Sequence, residues 1–474
     1  MSHTGFLLAA PASGSGKTTI ACGLLAALKK RNISVRSFKS GPDYIDPMYH
    51  ERVIGVPSGN LDTFFSDERE IRYLYEMDQE NYAYSVIEGA MGLYDGLGGT
   101  RPEGSAYHLA KTLDIPVFVI LDARGMGRTM LALLAGLLAY DRDHRIAGVI
   151  LNRTTERFFE VIKPEIETEL GLPVLGYFQE QKDLHLESRH LGLKLPEEIK
   201  QLQERVYGAA ELLERTVDVD RLLDLAKRRV LVGEFQREIK RKEADVCAGN
   251  VDETHGFGQK TGKRIRIAVA KDRAFCFYYK ENLRLLQKMG AELVEFSPLT
   301  DVGLPQQVDG LLLGGGYPEL FAKQLSENVS MRHSIRKTIE EGMPSVAECG
   351  GFMYLHETLT DGEGNVYPMV GTVPGGCHNT GRLVRFGYVE IREKESRFLA
   401  GQPIRGHEFH YYDSDSNGTG CVAEKPTAGR SWECVHVGEK HWWGYPHLYY
   451  PSNPGFVSYF LQVCENYHEL YGIV

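Results

Sequence analysis

Short apolar runs, most of them containing β-branched residues, alternate with stretches of helical periodicity from the start of the chain. The runs fall at residues 6–10, 86–87, 117–121 and 149–151, and such alternation predicts a mainly parallel sheet covered by helices on both faces. After the first run, Ile20, Gly23, Leu24, Ala27 and Leu28 recur at helical spacing. Residues 11–17 therefore fall on a strand-to-helix loop, a position that suits a phosphate. Between residues 236 and 263 the pattern lapses into a polar, glycine-containing stretch without apolar periodicity, which reads as a linker. Strand-like segments then resume with IRIAVA at Ile265, ELVEFSPL at Glu292, DGLLLGGG at Asp309 and PSVAECGG at Pro344. The expected fold is α/β throughout, with one domain over residues 1–235, the linker over 236–263 and a second domain over 264–474.

A length of 474 residues suits two or three cores, and 42% hydrophobic with 25% charged residues excludes a largely disordered or fibrous chain. The formal charge of −10 argues against a nucleic-acid partner, which would require a basic footprint. Eight cysteines are scattered without the close pairing of a structural zinc site, so free thiols in a reducing cytoplasm are expected. The amino terminus lacks a basic region followed by an apolar run and a small-residue cleavage site, and no apolar stretch approaches the roughly twenty residues of a membrane helix. A cytoplasmic protein without a membrane partner is the expectation.

The loop Gly14-Ser15-Gly16-Lys17-Thr18-Thr19 supplies what a triphosphate needs: glycines that let N–H groups converge, a lysine for charge, and a hydroxyl for Mg²⁺. Pro11 stands where the full pattern has its first glycine, so the first turn must be built differently. Phosphoryl transfer also needs carboxylates for Mg²⁺. Glu88, at the end of the run 85–87 and ahead of the loop GAMGLYDG, is the first metal candidate. Asp43 and Asp46 share a turn-forming segment with Lys39 after a strand expected over 33–38; a solvated acidic loop is the alternative reading there.

Cys349 falls where the strand 344–348 ends and a helix begins at Gly350. A nucleophile on such a turn is exposed to substrate, and the helix amino terminus favours its thiolate. Gly315 and Gly316, in a glycine-rich turn after 311–313, can aim backbone donors at an oxyanion. His447 is a candidate base, with His407 and His410 as competitors.

Taken in order, ASGSGKTT, FKSGPDYIDP, EGAMGLYDG, ARGMGR, GVILNR, AFCFYY, LLLGGGYPEL, AECGGFMYL and RGHEFHY resemble the glutamine-dependent cobyrinic acid a,c-diamide synthases over almost the whole chain. That resemblance implies an amino-terminal P-loop synthetase domain related to dethiobiotin synthetase, followed by a class I glutamine amidotransferase domain. It further implies ATP and Mg²⁺ as cofactors, with cobyrinic acid and L-glutamine as substrates. A corrinoid carboxylate would be phosphorylated and the acyl phosphate taken by ammonia. By the same resemblance Lys17 and Thr18 hold ATP phosphate and Mg²⁺, with Glu88, Asp43 and Asp46 near the metal and acyl phosphate. Asn152 meets the adenine, Tyr44 and Ile45 border the corrinoid, Cys349 is the nucleophile and His447 its base.

One departure stands out. Many such glutaminase domains carry a glutamate two residues after the histidine, and this chain has Tyr449 there, so a dyad or a substitute must orient the ring. Nickel-sirohydrochlorin a,c-diamide synthases share the architecture and stay open as an alternative. A partition-type switch ATPase would carry a lysine early in the loop, where Ala12 and Ser13 stand, and would lack the thiol domain. A silent tetrapyrrole-binding protein would not need Lys17, Glu88, Cys349 and His447 together. A homodimer remains open.

Overall fold

A computed structural model of the chain describes residues 4–471, apart from 78, 182–183, 185–187, 190–191, 194–195, 197–198, 200 and 228–263. The expected linker at 236–263 lies outside the described residues. The chain divides into two compact units, Met1–Asn250 and Val251–Val474. Among the described residues no helix is long and apolar enough to cross a membrane.

The first unit is built on seven strands, β1 (Thr4–Ala9), β2 (Val35–Ser40), β3 (Ser58–Leu61), β4 (Tyr84–Glu88), β5 (Val117–Asp122), β6 (Ile146–Asn152) and β7 (Val174–Phe178). They lie in the order β3-β2-β4-β1-β5-β6-β7, every neighbouring pair parallel. Every residue of β1 and β2 is buried, as expected of strands covered on both faces. One core face gathers Leu7, Ile87, Val119 and Leu151 with Met130 and Ile166. On the helix α1 (Lys17–Lys30), Gly23 approaches the backbone of Ala209 so closely that an added Cβ would stand 3.3 Å from its carbonyl carbon. The chain winds outward from β1 to β2 and β3, returns to insert β4, and then proceeds the other way through β5. That reversal sets the carboxyl ends of β1, β2 and β4 side by side, the place where open α/β sheets bind ligands.

β2 begins two residues later than its apolar run suggested and extends through Lys39 and Ser40. The Ile33 amide is spent on Leu28 O at the end of α1, whereas Lys39 and Ser40 gain ladder partners in Asn60 and Leu61 of β3. Lys39 is thus a buried strand residue.

The second unit has a six-stranded sheet in the order Ala291–Phe296, Ile265–Ala270, Gly310–Leu313, Ser345–Glu348, His441–Gly444 and His436–Val437, parallel except for the last strand. A five-stranded antiparallel sheet runs Ser431–Cys434, Cys421–Glu424, Arg385–Glu393, Ile404–His410 and His447–Leu448. A short ladder pairs Phe275–Phe277 with Gly315–Gly316. The parallel sheet carries Cys349 at the end of its fourth strand, and the antiparallel sheet carries His447 on its edge.

Candidate functional site

Beyond β1 the chain crosses residues 11–16 to enter α1 at Lys17. Gly14 (φ +77°) and Gly16 (φ +87°) both turn through the left-handed region. At Gly16 a Cβ would stand 2.2 Å from Asn152 Nδ2, so the loop requires glycine there. Asn152, the last residue of β6, donates that Nδ2 to Ser15 O at 2.7 Å, while its Oδ1 accepts from the Arg153 amide. The asparagine expected at the adenine therefore fastens the phosphate loop. Ser15 Oγ donates to Ala12 O at 2.9 Å. Lys17 folds across its own loop, with Nζ donating to Met91 O at 2.6 Å and to Ala12 O at 3.2 Å. Burial, together with the charge of Lys39, lowers Lys17 to about 8, so a phosphate brought against it favours the protonated form. Thr19 lies half-buried in the first turn of α1.

Glu88 ends β4 and is 1% exposed. Its Oε1 accepts from Thr18 Oγ1 at 2.6 Å and from Lys39 Nζ at 2.9 Å, and its Oε2 lies 3.4 Å from His50 Nε2. Lys39 also pairs with Asp46. Asp43 Oδ1 accepts from the amides of Ile45 at 2.8 Å and Asp46 at 3.2 Å, capping the one-turn helix α2 (Ile45–Met48) in which Asp46 sits; Tyr44 and Ile45 are buried beside it. Burial disfavours charge on Glu88, but Lys39, His50 and Thr18 outweigh it and hold the carboxyl well below the carboxylate range. Burial, Asp43 and Glu88 push Asp46 the other way, opposed by Lys39. Lys39, though fully buried, is raised by Asp46 and Glu88. Two carboxylates thus share one lysine.

These oxygens fit Mg²⁺. Among the described residues no three His, Cys, Asp or Glu side chains form a ready metal cage. Mg²⁺ does not need one, because it keeps water and phosphate oxygens and takes only one or two protein carboxylates. A hydroxyl and a carboxylate 2.6 Å apart, with Asp46 across Lys39, are of that hard-oxygen kind.

In the second unit Cys349 joins the strand Ser345–Glu348 to the helix Gly350–Leu355 at φ +46°, a strained turn for a residue with a side chain. Its amide donates to Gly444 O and its carbonyl accepts from Met353 N, both at 2.9 Å, which fixes the turn from both sides. A Cβ on Gly350 would stand 2.9 Å from Gly316 N, and one on Gly315 would stand 2.3 Å from His447 Cε1. Gly316 therefore packs against the nucleophile turn and Gly315 under the His447 ring. The neighbouring Gly314 amide donates to Tyr278 Oη at 2.8 Å.

The structure separates the three histidines. His410 engages Tyr412 O at 2.7 Å through Nδ1 and Glu408 Oε2 at 3.0 Å through Nε2, so both nitrogens are occupied. His407 Nδ1 lies 3.0 Å from Tyr279 Oη, and its ring stacks on His447 at a centroid distance of 4.9 Å. His447 alone has its ring against Gly315. Its nearest acidic group is unexpected. Glu348, the residue before the nucleophile, accepts from Tyr450 Oη at 2.9 Å through Oε1 and sets Oε2 4.0 Å from His447 Nδ1.

Burial lowers His447 to about 3, with His410 adding to the effect. Burial also pushes the Cys349 thiol up, with Glu319 adding and the Gly350 amide opposing. The expected preference for thiolate is thus reversed at rest. The following helix has only six residues, all buried, and its partial charge does not offset the lost hydration. Burial thus favours the neutral thiol at Cys349 and the neutral imidazole at His447. Because a lowered pKa moves protonation below the working range, kcat/KM for glutamine hydrolysis should stay level between pH 7 and 5. A histidine left near its ordinary value would cost about half the rate at pH 6.5; a pH–rate profile distinguishes the two.

Residues 6–193 match the CobQ/CobB/MinD/ParA nucleotide binding domain family, and residues 266–448 match the CobB/CobQ-like glutamine amidotransferase domain family. The cobyrinate a,c-diamide synthase of Caldanaerobacter subterraneus subsp. tengcongensis is 39% identical over 468 residues, covering 98% of each chain. The enzyme of the same name from Listeria innocua is 39% identical over 462 residues, covering 94% of this chain and 96% of its own. That of Picrophilus torridus is 37% identical over 470 residues, covering 98% and 100%. With a phosphate loop at one end, a cysteine turn at the other and likeness that runs unbroken across both, the chain belongs to the cobyrinate a,c-diamide synthase family.

Proposed function

We propose that the protein amidates the a and c side-chain carboxylates of cobyrinic acid, using ATP to activate each carboxylate and glutamine to supply ammonia, as a step of cobalamin biosynthesis. The observation that carries this reading is the presence of two complementary centres in one chain, a phosphate loop tied to buried carboxylates and a cysteine turn that meets, at Gly315 and Gly316, the same short segment as the His447 ring. A carboxylate resists attack until one oxygen becomes a leaving group, and ammonia is mostly protonated in neutral water. Each centre answers one of those two obstacles.

In the first domain, over residues 1–235, Lys17 and the amides of residues 14–17 bind the triphosphate and align its γ-phosphoryl group. Thr18 and Glu88 hold Mg²⁺, which supplies neutralisation of the charge on the migrating phosphoryl group. Asp46 and Lys39 set the approach of the acceptor, whose ring borders Tyr44 and Ile45. Asp43 holds α2 in place and Asn152 keeps the loop open beside the adenine. In the second domain, over residues 264–474, His447 takes the proton of Cys349 as Sγ bonds to the glutamine amide carbon. The carbonyl electrons move onto oxygen, facing the amides of Gly315 and Gly316. The C–N bond then breaks and His447 returns the proton to the departing ammonia. Water attacks the thioester to release glutamate and restore the thiol.

Mass spectrometry after incubation with ATP, Mg²⁺, glutamine and cobyrinic acid should show two successive losses of about one mass unit, each marking an acid converted to an amide. Nickel-sirohydrochlorin offered in parallel tests the second reading, because no side chain described above distinguishes the two rings. Amidation of neither ring, with both centres intact, would overturn the assignment of substrate.

A further inference from the structure

The sequence leaves the glutaminase histidine without the acid that would ordinarily follow it, and Tyr449 occupies that place with its ring packed edge-on against Tyr279. From the geometry we infer that Glu348 supplies the missing carboxyl, orienting His447 from the residue that precedes the nucleophile. The inference rests on the glutaminase reading of Cys349 and His447.

Glu348 is the last residue of a central strand, with Gly444 as its ladder partner, so its backbone is fixed by the sheet. Alternation along that strand sends Val346 and Glu348 to one face and Ala347 to the other. Val346 accordingly joins a core with Leu448 and Tyr450, whereas Ala347 and Cys349 join a different one. Glu348 and the thiol thus leave the strand on opposite faces, which lets the carboxyl approach His447 from the side away from the thiol. An orienting acid must do so, because it has to meet Nδ1 while the other ring nitrogen faces the nucleophile.

The carboxyl is held as a positioning group should be. It is 5% exposed, with Oε1 accepting from Tyr450 Oη at 2.9 Å and the Leu448 amide also donating to the side chain; burial outweighs both and raises it to about 8. Its donors come from the residues just beyond His447, so the base and its orienter are carried on one short segment. Oε2 is left 4.0 Å from Nδ1, about 1 Å beyond a direct hydrogen bond. Catalytic hydrogen bonds are often long before substrate arrives and shorten in the complex. When His447 accepts the Cys349 proton, its Nδ1–H meets a carboxyl whose ionised form the new positive charge favours.

The other charged groups near this pair do not fill the role. Glu408 is spent on His410 and Trp432, and Glu319 acts on Cys349.

The test compares Glu348→Gln, Glu348→Asp and Tyr450→Phe with wild type, using Cys349→Ala as reference. Glu348→Gln keeps the shape and removes a carboxyl that can ionise. It should lower kcat for glutamine hydrolysis by about 10²-fold or more with KM within about threefold, and slow the labelling of Cys349 by an electrophilic glutamine analogue in parallel. Ammonia-supported amidation and the melting temperature should stay at wild-type values. Glu348→Asp should recover part of kcat, and Tyr450→Phe should lose about tenfold or less, since it loosens the carboxyl without removing it. A Glu348→Gln protein that hydrolyses glutamine within threefold of wild type, or one that loses kcat only in proportion to lost folding, would overturn the inference. If Cys349→Ala itself still consumes glutamine, the underlying glutaminase reading has failed instead.

Discussion

Replacing Cys349 by alanine should abolish glutamine-supported amidation, by about 10⁴-fold or more, while amidation with added ammonia proceeds near the wild-type rate. The size of the loss follows from the chemistry, because no other group at the turn can form the thioester, and removing a nucleophile leaves only binding and oxyanion stabilisation. The sparing of the ammonia reaction follows from the fold. Cys349 sits in a unit with its own parallel sheet and its own cores, and the phosphate loop sits in the other. A side chain one atom smaller at a turn fixed by backbone bonds to Gly444 and Met353 should not disturb that unit. Parallel assays with glutamine and with ammonium salts on the same preparation check both halves. Loss of both activities in a folded variant would refute the division of labour.

Glu88→Gln should produce the second large effect, a fall of about 10²-fold or more in single-turnover amidation with ATP affinity changed only a few-fold. In the reading proposed above, nucleotide binding draws on Lys17 and the loop amides, and the loop is kept in shape by hydrogen bonds among Ser15, Ala12 and Asn152. Thr18 and Lys39 contact Glu88. Removing its charge withdraws the strongest oxygen donor beside Thr18 and leaves Lys39 paired with Asp46 alone, so the pocket keeps an ion pair and should still fold. Asp46→Asn should act in the same direction by releasing Lys39. Nucleotide titration and single-turnover chemistry on one folded variant separate the possibilities. Collapsed binding with undiminished bound-state chemistry would make these carboxylates affinity elements.

The elements that place the chemistry were readable because each carries a local rule. A glycine-rich loop between an apolar strand and a helix leaves few geometries open, and Gly14 and Gly16 adopt the positive φ that such a loop needs. The AECGG turn likewise announces itself, since the two glycines after Cys349 are required by close backbone approach to residues 313–316. The partners that complete each centre were not readable. His50, in the helical segment Tyr49–Ile54, comes to Glu88 at the end of β4, and Glu348 comes to His447 from a separate strand; neither contact leaves a spacing in the sequence. The rise of the Cys349 thiol is hidden from the sequence for a related reason. A motif gives the position of a thiol, whereas its desolvation depends on everything folded over it. The antiparallel sheet that presents His447 also escaped notice. Its strand Arg385–Glu393 is half-exposed, irregular in burial and interrupted by Gly387 at φ +91°, so it lacks the clean alternation that marks a strand.

The protonated state of Cys349 has a consequence for how the enzyme survives between turnovers. Peroxide and disulfide reagents attack thiolates, and a cysteine kept as a buried thiol reacts with them slowly. Many catalytic cysteines are vulnerable because they stay ionised while idle. On the mechanism proposed above, the sulfur would become a strong nucleophile only while glutamine is seated and His447 takes its proton, so the species most easily oxidised would exist only with a substrate carbon in its path. Cys377, Cys421, Cys434 and Cys464 are buried thiols as well, raised by the same loss of hydration. The described cysteines of the glutaminase half are thus buried free thiols, a form that oxidants attack slowly.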